Sequence, residues 1–343
     1  MINDKKIMVW THWDLDGIVS YLTVRWAFPK YNIEYIPTTV QNFREHYTKW
    51  LLTHNIEDYE TVFIMDLGVF NDKDLIDHNN IFIIDHHKGH DNNTYSKALT
   101  VILEYPSACK LAYKVFIKLF NLKITNAQKH LIILANDYDS YALTLPDSYN
   151  LNTIFWGINN NKFESFIKAF INGFNGFTVE QENIIKLHAN KIKTIKENLK
   201  VYGGNVEIQG NSYYVCSTFS TECINEVSDI LLNDYNADVS IIININSNHV
   251  SYRRSVNTVD LAKLAYDLAD GYGHEYSSGS GITDTFIEFT KKLTEQNDKS
   301  KEPKENKPKA GRPKGSTNSK KKKTKKKKTK KKAKSIKIIK AKN

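Results

Sequence analysis

Through the first 150 residues, short apolar runs alternate with longer amphipathic stretches. Residues 7–10, 33–36, 62–65 and 81–84 are mostly apolar and predict strands, whereas 18–28, 42–53 and 107–120 carry apolar positions at helical spacing and predict helices. Strands of that length without polar alternation suit a sheet covered on both faces, so a parallel α/β sheet is expected. From 163 to 202 the pattern is helical. Thr178 and Gln181 fit a capping box, Ile184, Ile185, Leu187, Ile192, Ile195 and Leu199 recur at helical spacing, and Gly203-Gly204 is expected to stop the helix. From Val206 onward the pattern becomes paired strands, 206–208 with 213–216 and 239–245 with 250–253, together with helices at 223–235 and 259–269. The expected organisation is an α/β domain over 1–155, a helical linker over 156–204, a smaller α/β domain over 205–293 and a tail over 294–343.

Charge sharpens that division. The chain has 343 residues and a net charge of +10, but residues 301–343 hold 21 Lys/Arg and 2 Asp/Glu, which leaves the preceding 300 residues at −9. An acidic body with a basic tail fits a cation-binding fold joined to a polyanion-seeking tether better than a protein that binds nucleic acid over its whole surface. The tail is lysine-rich and too poor in apolar residues to fold alone. Cys109, Cys216 and Cys223 form no CxxC pair, which argues against a disulfide framework or a thiolate zinc site and for a reducing compartment. With no signal-peptide pattern and no apolar run of membrane-spanning length, a soluble intracellular protein without membrane association is expected.

The candidate chemistry lies where the strands end. The first leads into His12-Trp13-Asp14-Leu15-Asp16-Gly17, the third ends at Asp66, and the fourth at Asp85-His86-His87. Any one aspartate after a strand is commonly a helix N-cap or turn residue. In an open α/β sheet, however, the carboxyl ends form a single rim, so these residues converge there. Clustered carboxylates repel unless cations compensate them, which points to a divalent metal site; with imidazole among the ligands, Mn²⁺, Zn²⁺ or Fe²⁺ suits it better than Mg²⁺.

This ordered set resembles the DHH/DHHA1 phosphoesterase family, of the RecJ-like exonuclease and oligoribonuclease type. Its namesake triplet is Asp85-His86-His87, its HxDxDG element is His12 to Gly17, and Asp66 and an aspartate in LANDYDS follow the family order. Downstream, Gly271-Tyr272-Gly273-His274 resembles the glycine-rich GGGH element and Ser251 to Ser255 the preceding arginine strand, with Tyr272 a departure from glycine. The resemblance implies two cations, Mn²⁺ or less favourably Mg²⁺. His12 and Asp14 would hold one, Asp16, His86 and Asp137 the other, and Asp66 would bridge, although Asp139 competes with Asp137 for its role. Asp85 would act catalytically by orienting His86, and His87 by facing the substrate phosphate. Arg253, Arg254, Gly273 and His274 would bind substrate. The remaining histidines, His90 and His188 among them, are expected to be surface or packing residues, and Cys109 a buried helix thiol.

Gly311-Arg312-Pro313-Lys314-Gly315 partly resembles an AT-hook, whose Arg-Pro core enters the narrow minor groove of A·T-rich DNA; Ala310 replaces the usual preceding arginine. The expected function is metal-dependent hydrolysis of phosphoester bonds in nucleic acid or short oligonucleotides, with Arg312, Pro313 and Lys314 concentrating the enzyme on DNA. A cyclic-dinucleotide or pAp phosphatase, an inorganic pyrophosphatase and a DNA-binding protein on an inactive scaffold are the alternatives. Oligomeric state and strand polarity are not encoded in any motif.

Overall fold

The computed structural model describes residues 6–87 and 90–282, without the side chains of Asn93, Tyr272 and His274. The described residues all fall within one unit. The tail motif with Arg312, Pro313 and Lys314 lies outside the described residues.

The chain runs β1 (Lys6–His12), α1 (Leu15–Ala27), β2 (Asn32–Thr38), α2 (Val40–Leu51), β3 (Tyr59–Met65), α3 (Lys73–Ile76), β4 (Ile81–Asp85) and β5 (Leu99–Ile102). These strands form one sheet in the order β2-β1-β3-β4-β5, with every neighbouring pair parallel. Successive side chains on a strand point to opposite faces. Along β1, Ile7 and Val9 accordingly enter one apolar core and Met8 and Trp10 the other. Both faces are covered, which is why the strand carries no polar alternation. On the second face Trp10 packs edge-on to Phe43 and Trp50 of α2, at centroid separations of 5.6 and 6.0 Å.

Five helices follow: α4 (Ala108–Phe120), α5 (Asn126–Asp139), α6 (Pro146–Gly157), α7 (Lys162–Phe170) and α8 (Val179–Asn198). The helical stretch expected from 163 to 202 is thus two helices, separated by a turn in which Gly173 adopts φ 92°. A side chain at Gly173 would also strike the backbone of Ala127. The capping boxes Thr125–Gln128 and Thr178–Gln181 start α5 and α8. The first of these, with α5 and α6, escapes the sequence pattern because Asn and Asp interrupt the apolar stripe.

The second sheet is built from β6 (Tyr202–Ile208), β7 (Asn211–Phe219), β8 (Val239–Asn244) and β9 (His249–Arg254), then β10 (Tyr272–His274) and β11 (Ser277–Gly281), with α9 (Ile224–Asp229) and α10 (Leu261–Ala269) inserted. Its order is β10-β11-β9-β8-β7-β6, and only β7–β8 is parallel. Gly203 and Gly204 do not stop α8, which ends at Asn198; they lie within β6. A side chain at Gly203 would meet the Tyr214 hydroxyl across the strand pair, so glycine serves packing there. Hydrogen bonds from Tyr141 to Asp229 (2.7 Å) and from Tyr149 to Glu226 (3.1 Å) tie the helices after the first sheet to α9.

Candidate metal centre

In the first sheet β1 is followed by β2 on one side and β3 on the other, so the β1/β3 pair is the topological switch point, where a ligand crevice forms beyond the carboxyl ends. His12 ends β1, Asp66 follows β3, and Asp85 ends β4 beside His86 and His87. The turn from β1 into α1 depends on Gly17: a Cβ there would lie 2.2 Å from the His12 carbonyl oxygen. Asp14 caps α1 by accepting from the Gly17 amide at 2.8 Å, and its second oxygen is 2.7 Å from His12 Nδ1. Asp16 is buried and accepts from the amides of Ala108 and Cys109 at the start of α4, at 2.6 and 2.9 Å. The positive end of that helix thus fixes the carboxylate.

Asp66 lies between two groups of side chains. Its Oδ2 is 3.9 Å from His12 Nδ1 and its Oδ1 is 3.3 Å from His86 Nε2. Its backbone is left-handed at φ 59°, and although the residue is buried its Oδ2 has no hydrogen-bond partner among the described residues. An orphaned buried carboxylate oxygen is costly unless a cation meets it. His12, Asp14 and Asp66 bring donor atoms within 4.8 Å of one another, as do Asp16, His86 and Asp139, and Asp66, His86 and His87.

The structure brings Asp139, not Asp137, to the rim, with its Oδ2 3.7 Å from His86 Nε2. Asp137 faces away: it accepts from the Thr144 amide and hydroxyl, the Leu145 amide and the Ser148 hydroxyl, at 2.6 to 3.2 Å, and so fixes the α5–α6 connection. Asp85 also differs from expectation. Its two oxygens hold Nδ1 of His87 at 2.7 Å and Nδ1 of His90 at 2.6 Å, while His86 instead places Nδ1 3.0 Å from the Tyr105 carbonyl. Donation of Nδ1–H to that carbonyl leaves the His86 Nε2 lone pair aimed at the rim, the tautomer a metal ligand needs. His90 is buried between Asp85 and the Tyr95 hydroxyl, the packing role among the two expected, and Cys109 is buried as expected.

The electrostatics follow from the burial. Burial, with repulsion from neighbouring carboxylates, holds Asp66 and Asp139 well above the ordinary carboxylate range and raises Asp16. His12 is pushed up to about 10, because Asp14, Asp66 and Asp16 outweigh the burial that opposes its charge. Asp14 drops to about 2 against its own burial, through His12 and the Gly17 amide. Protons and cations compete for these oxygens, and the oxygen and imidazole donors, including the orphaned Asp66 Oδ2, fit divalent ions.

A small cavity of about 170 Å³ opens from Asp14, Asp16 and Asp139 toward Tyr138, Trp156 and Asn225. A second, of about 450 Å³, runs from His86 and Asp139 to Tyr276. Arg253 donates to the Tyr252 carbonyl and to Asn225 Oδ1, at 2.9 and 3.0 Å, which places it by a lining residue of the first cavity. Arg254 points elsewhere and ties the Val259 and Asn257 carbonyls to its strand. Gly273 adopts φ 145°, and a Cβ there would lie 2.5 Å from Ser278 Cα, so glycine permits the β10–β11 pairing. The His274 side chain lies outside the described residues. Trp13 packs against Phe163 with a centroid separation of 5.0 Å.

No helix among the described residues is long and apolar enough to cross a membrane. No curated protein matches the sequence. Among solved structures, the pGpG-specific phosphodiesterase PggH from Vibrio cholerae is 12% identical, with 86% of this chain and 99% of that one covered and a TM-score of 0.51. A DHH domain described as a member of the s1p family of ribosomal proteins is 13% identical, with coverages of 86% and 87% and a TM-score of 0.54. RecJ from Thermus thermophilus, in complex with Mn²⁺, is 12% identical with a TM-score of 0.54; the alignment covers 87% of this chain but only 52% of RecJ. These likenesses establish a shared fold. The family model for the DHH family, N-terminal domain, matches residues 6–138, the stretch that carries β1, β3, β4 and their terminal aspartates and histidines, and this part of the chain is therefore a DHH-family domain.

Proposed function

We propose that the protein is a divalent-cation-dependent phosphoester hydrolase acting on nucleic acid or short oligonucleotides by a two-metal mechanism. The observation that carries this reading is Asp66, a buried carboxylate with one oxygen toward His12 and the other toward His86, between two donor sets that share no other residue. His12 and Asp14 would hold one cation, Asp16, His86 and Asp139 the other, and Asp66 would bridge them. Two cations held there would supply Lewis-acid neutralisation of the phosphoryl charge. The chain's own groups do the rest. Asp85 orients His87, so that His87 can present Nε2 to a phosphate oxygen; Arg253 and Asn225 stand where a flanking phosphate would be held; and Trp156 and Tyr276 offer exposed aromatic faces for bases. The resemblance of the RecJ and PggH folds supports this substrate class, and the short cavities favour chain ends and dinucleotides over internal duplex.

The domain scheme read from the sequence belongs to the same proposal, with 1–155 holding metal, 205–293 holding substrate and the basic tail retaining DNA by salt-dependent phosphate contacts. Digestion of 5′- and 3′-labelled DNA and RNA of several lengths with Mn²⁺, alongside pAp, cyclic dinucleotides and pyrophosphate, tests the reading. Cleavage of oligonucleotides from one end is expected. Turnover of pyrophosphate alone, or of nothing with Mn²⁺ bound, overturns it. Removal of residues 301–343 is expected to leave dinucleotide hydrolysis unchanged and to weaken retention on long duplex DNA.

A further inference from the structure

One cluster of metal-ligating side chains lies apart from the rim. His188 on α8 and Cys223 and Glu226 at the start of α9 bring an imidazole nitrogen, a sulfur and a carboxylate oxygen within 4.8 Å of one another. His188 Nε2 and Glu226 Oε1 are 3.2 Å apart, and the Tyr149 hydroxyl from α6 lies 3.2 Å from the first and 3.1 Å from the second. Cys223 is the N-cap residue of α9, with left-handed backbone at φ 52°, and Glu226 lies in the first turn of that helix. His188 comes from a segment 38 residues from Glu226, so the cluster joins the long helix before the second sheet to the helix inserted in that sheet.

A hydrogen-bonded Tyr149–His188–Glu226 network accounts for three of these groups but gives the thiol no part, since no hydrogen bond to Cys223 Sγ occurs among the described residues. The cluster also forms part of the wall of a cavity of about 840 Å³, which gives an ion access and leaves space for a further ligand. The donor set differs in kind from the rim. A thiolate, an imidazole and a carboxylate select a borderline-soft transition ion, and together they neutralise a dication, whereas the rim offers only oxygen and imidazole.

We propose that His188, Cys223 and Glu226 form a separate three-ligand site for a borderline-soft divalent transition ion such as Zn²⁺, which clasps α8 to α9. On binding, the Cys223 thiol gives its proton to solvent as the sulfur–metal bond forms, and His188 binds as the neutral ring.

Cobalt(II) reads this directly, because only a thiolate ligand gives a sulfur-to-metal charge-transfer band. The full-length protein, stripped with a chelator and supplied with Mn²⁺ in excess to occupy the oxygen-rich rim, is titrated with Co²⁺. A near-ultraviolet charge-transfer band saturating at one Co²⁺ per chain and bleached by Zn²⁺ is the expected result. Cys223→Ser should remove the band, and His188→Ala and Glu226→Gln should each weaken Co²⁺ binding at least tenfold. Absence of the band in the unmodified protein, or its persistence in Cys223→Ser, overturns the proposal. The unmodified protein tests the site without reliance on any variant's folding.

Discussion

The acidic rim of the first sheet and the arginine strand of the second assemble their chemistry in opposite ways. Asp14, Asp66 and Asp139 are separated by dozens of residues, yet parallel strands and the helix facing them bring their carboxylates to the same crevice. Arg253 and Arg254 are adjacent in sequence, yet the alternation of a strand sends one toward Asn225 and the other into the backbone of the 257–259 turn. Topology therefore gathers what is distant, and local geometry separates what is adjacent. Asp137 and Asp139 repeat the second lesson on a helix, where two residues span about 200° of rotation.

The largest expected effect tests convergence at the rim. Asp66→Asn keeps a side chain that tolerates left-handed backbone but removes the charge between the two donor sets, and kcat with saturating Mn²⁺ should fall on the order of 10³-fold. The melting temperature of the metal-free protein should hold or rise, because a source of carboxylate repulsion is gone. Near-normal turnover would break the comparison at its centre.

Divergence of neighbours is tested by two pairs. Asp139→Asn should lower kcat on the order of 10²-fold with little change in stability, whereas Asp137→Asn should lower the melting temperature by loosening the α5–α6 connection. Equal kinetic losses would show that the helix does not separate them. Of the arginines, Arg253→Ala should raise KM by roughly tenfold or more with bound metal unchanged. Arg254→Ala should leave KM alone and cost about 1 kcal/mol of stability, since the part-buried Val259 carbonyl loses its donor. Steady-state kinetics and thermal melts on the four variants separate these outcomes.

The same two lessons explain what the sequence disclosed. Apolar runs made β1 to β4 legible because both faces of that sheet are buried, and the order of strand ends then placed the rim. β5 escaped because it is an edge strand with Leu99 exposed. The partner of each side chain was less legible. Asp85 was expected to serve His86, its immediate neighbour, but its geometry serves His87 and His90. His188 looked partnerless because Glu226 lies 38 residues away on an element that sequence periodicity does not dock. A glycine pair that signals a helix stop by composition proved to lie within β6, where Gly203 packs under Tyr214.

The smallest expected effect sharpens the contrast between carboxylates among carboxylates and carboxylates among donors. Asp77, between α3 and β4, accepts from the amides of Ser96, Lys97 and Ala98 and from the Ser96 hydroxyl, at 2.7 to 3.0 Å. Burial works to raise its pKa, but these donors outweigh it and hold the carboxyl below the ordinary range, the reverse of Asp66. A carboxylate whose pKa is lower folded than unfolded adds stability that is full above the unfolded value of about 4 and is lost as pH falls through the folded value. Asp77→Asn should therefore melt a few degrees below the unmodified protein at neutral pH, with the gap closing as the buffer is taken below about pH 4. Turnover at neutral pH should be unchanged, because this carboxylate steadies the approach to β5 and belongs to neither donor set. A gap that stays constant with pH would mean that shape, not charge, holds the 96–98 loop, and the donor-rich side of the contrast would lose its electrostatic basis.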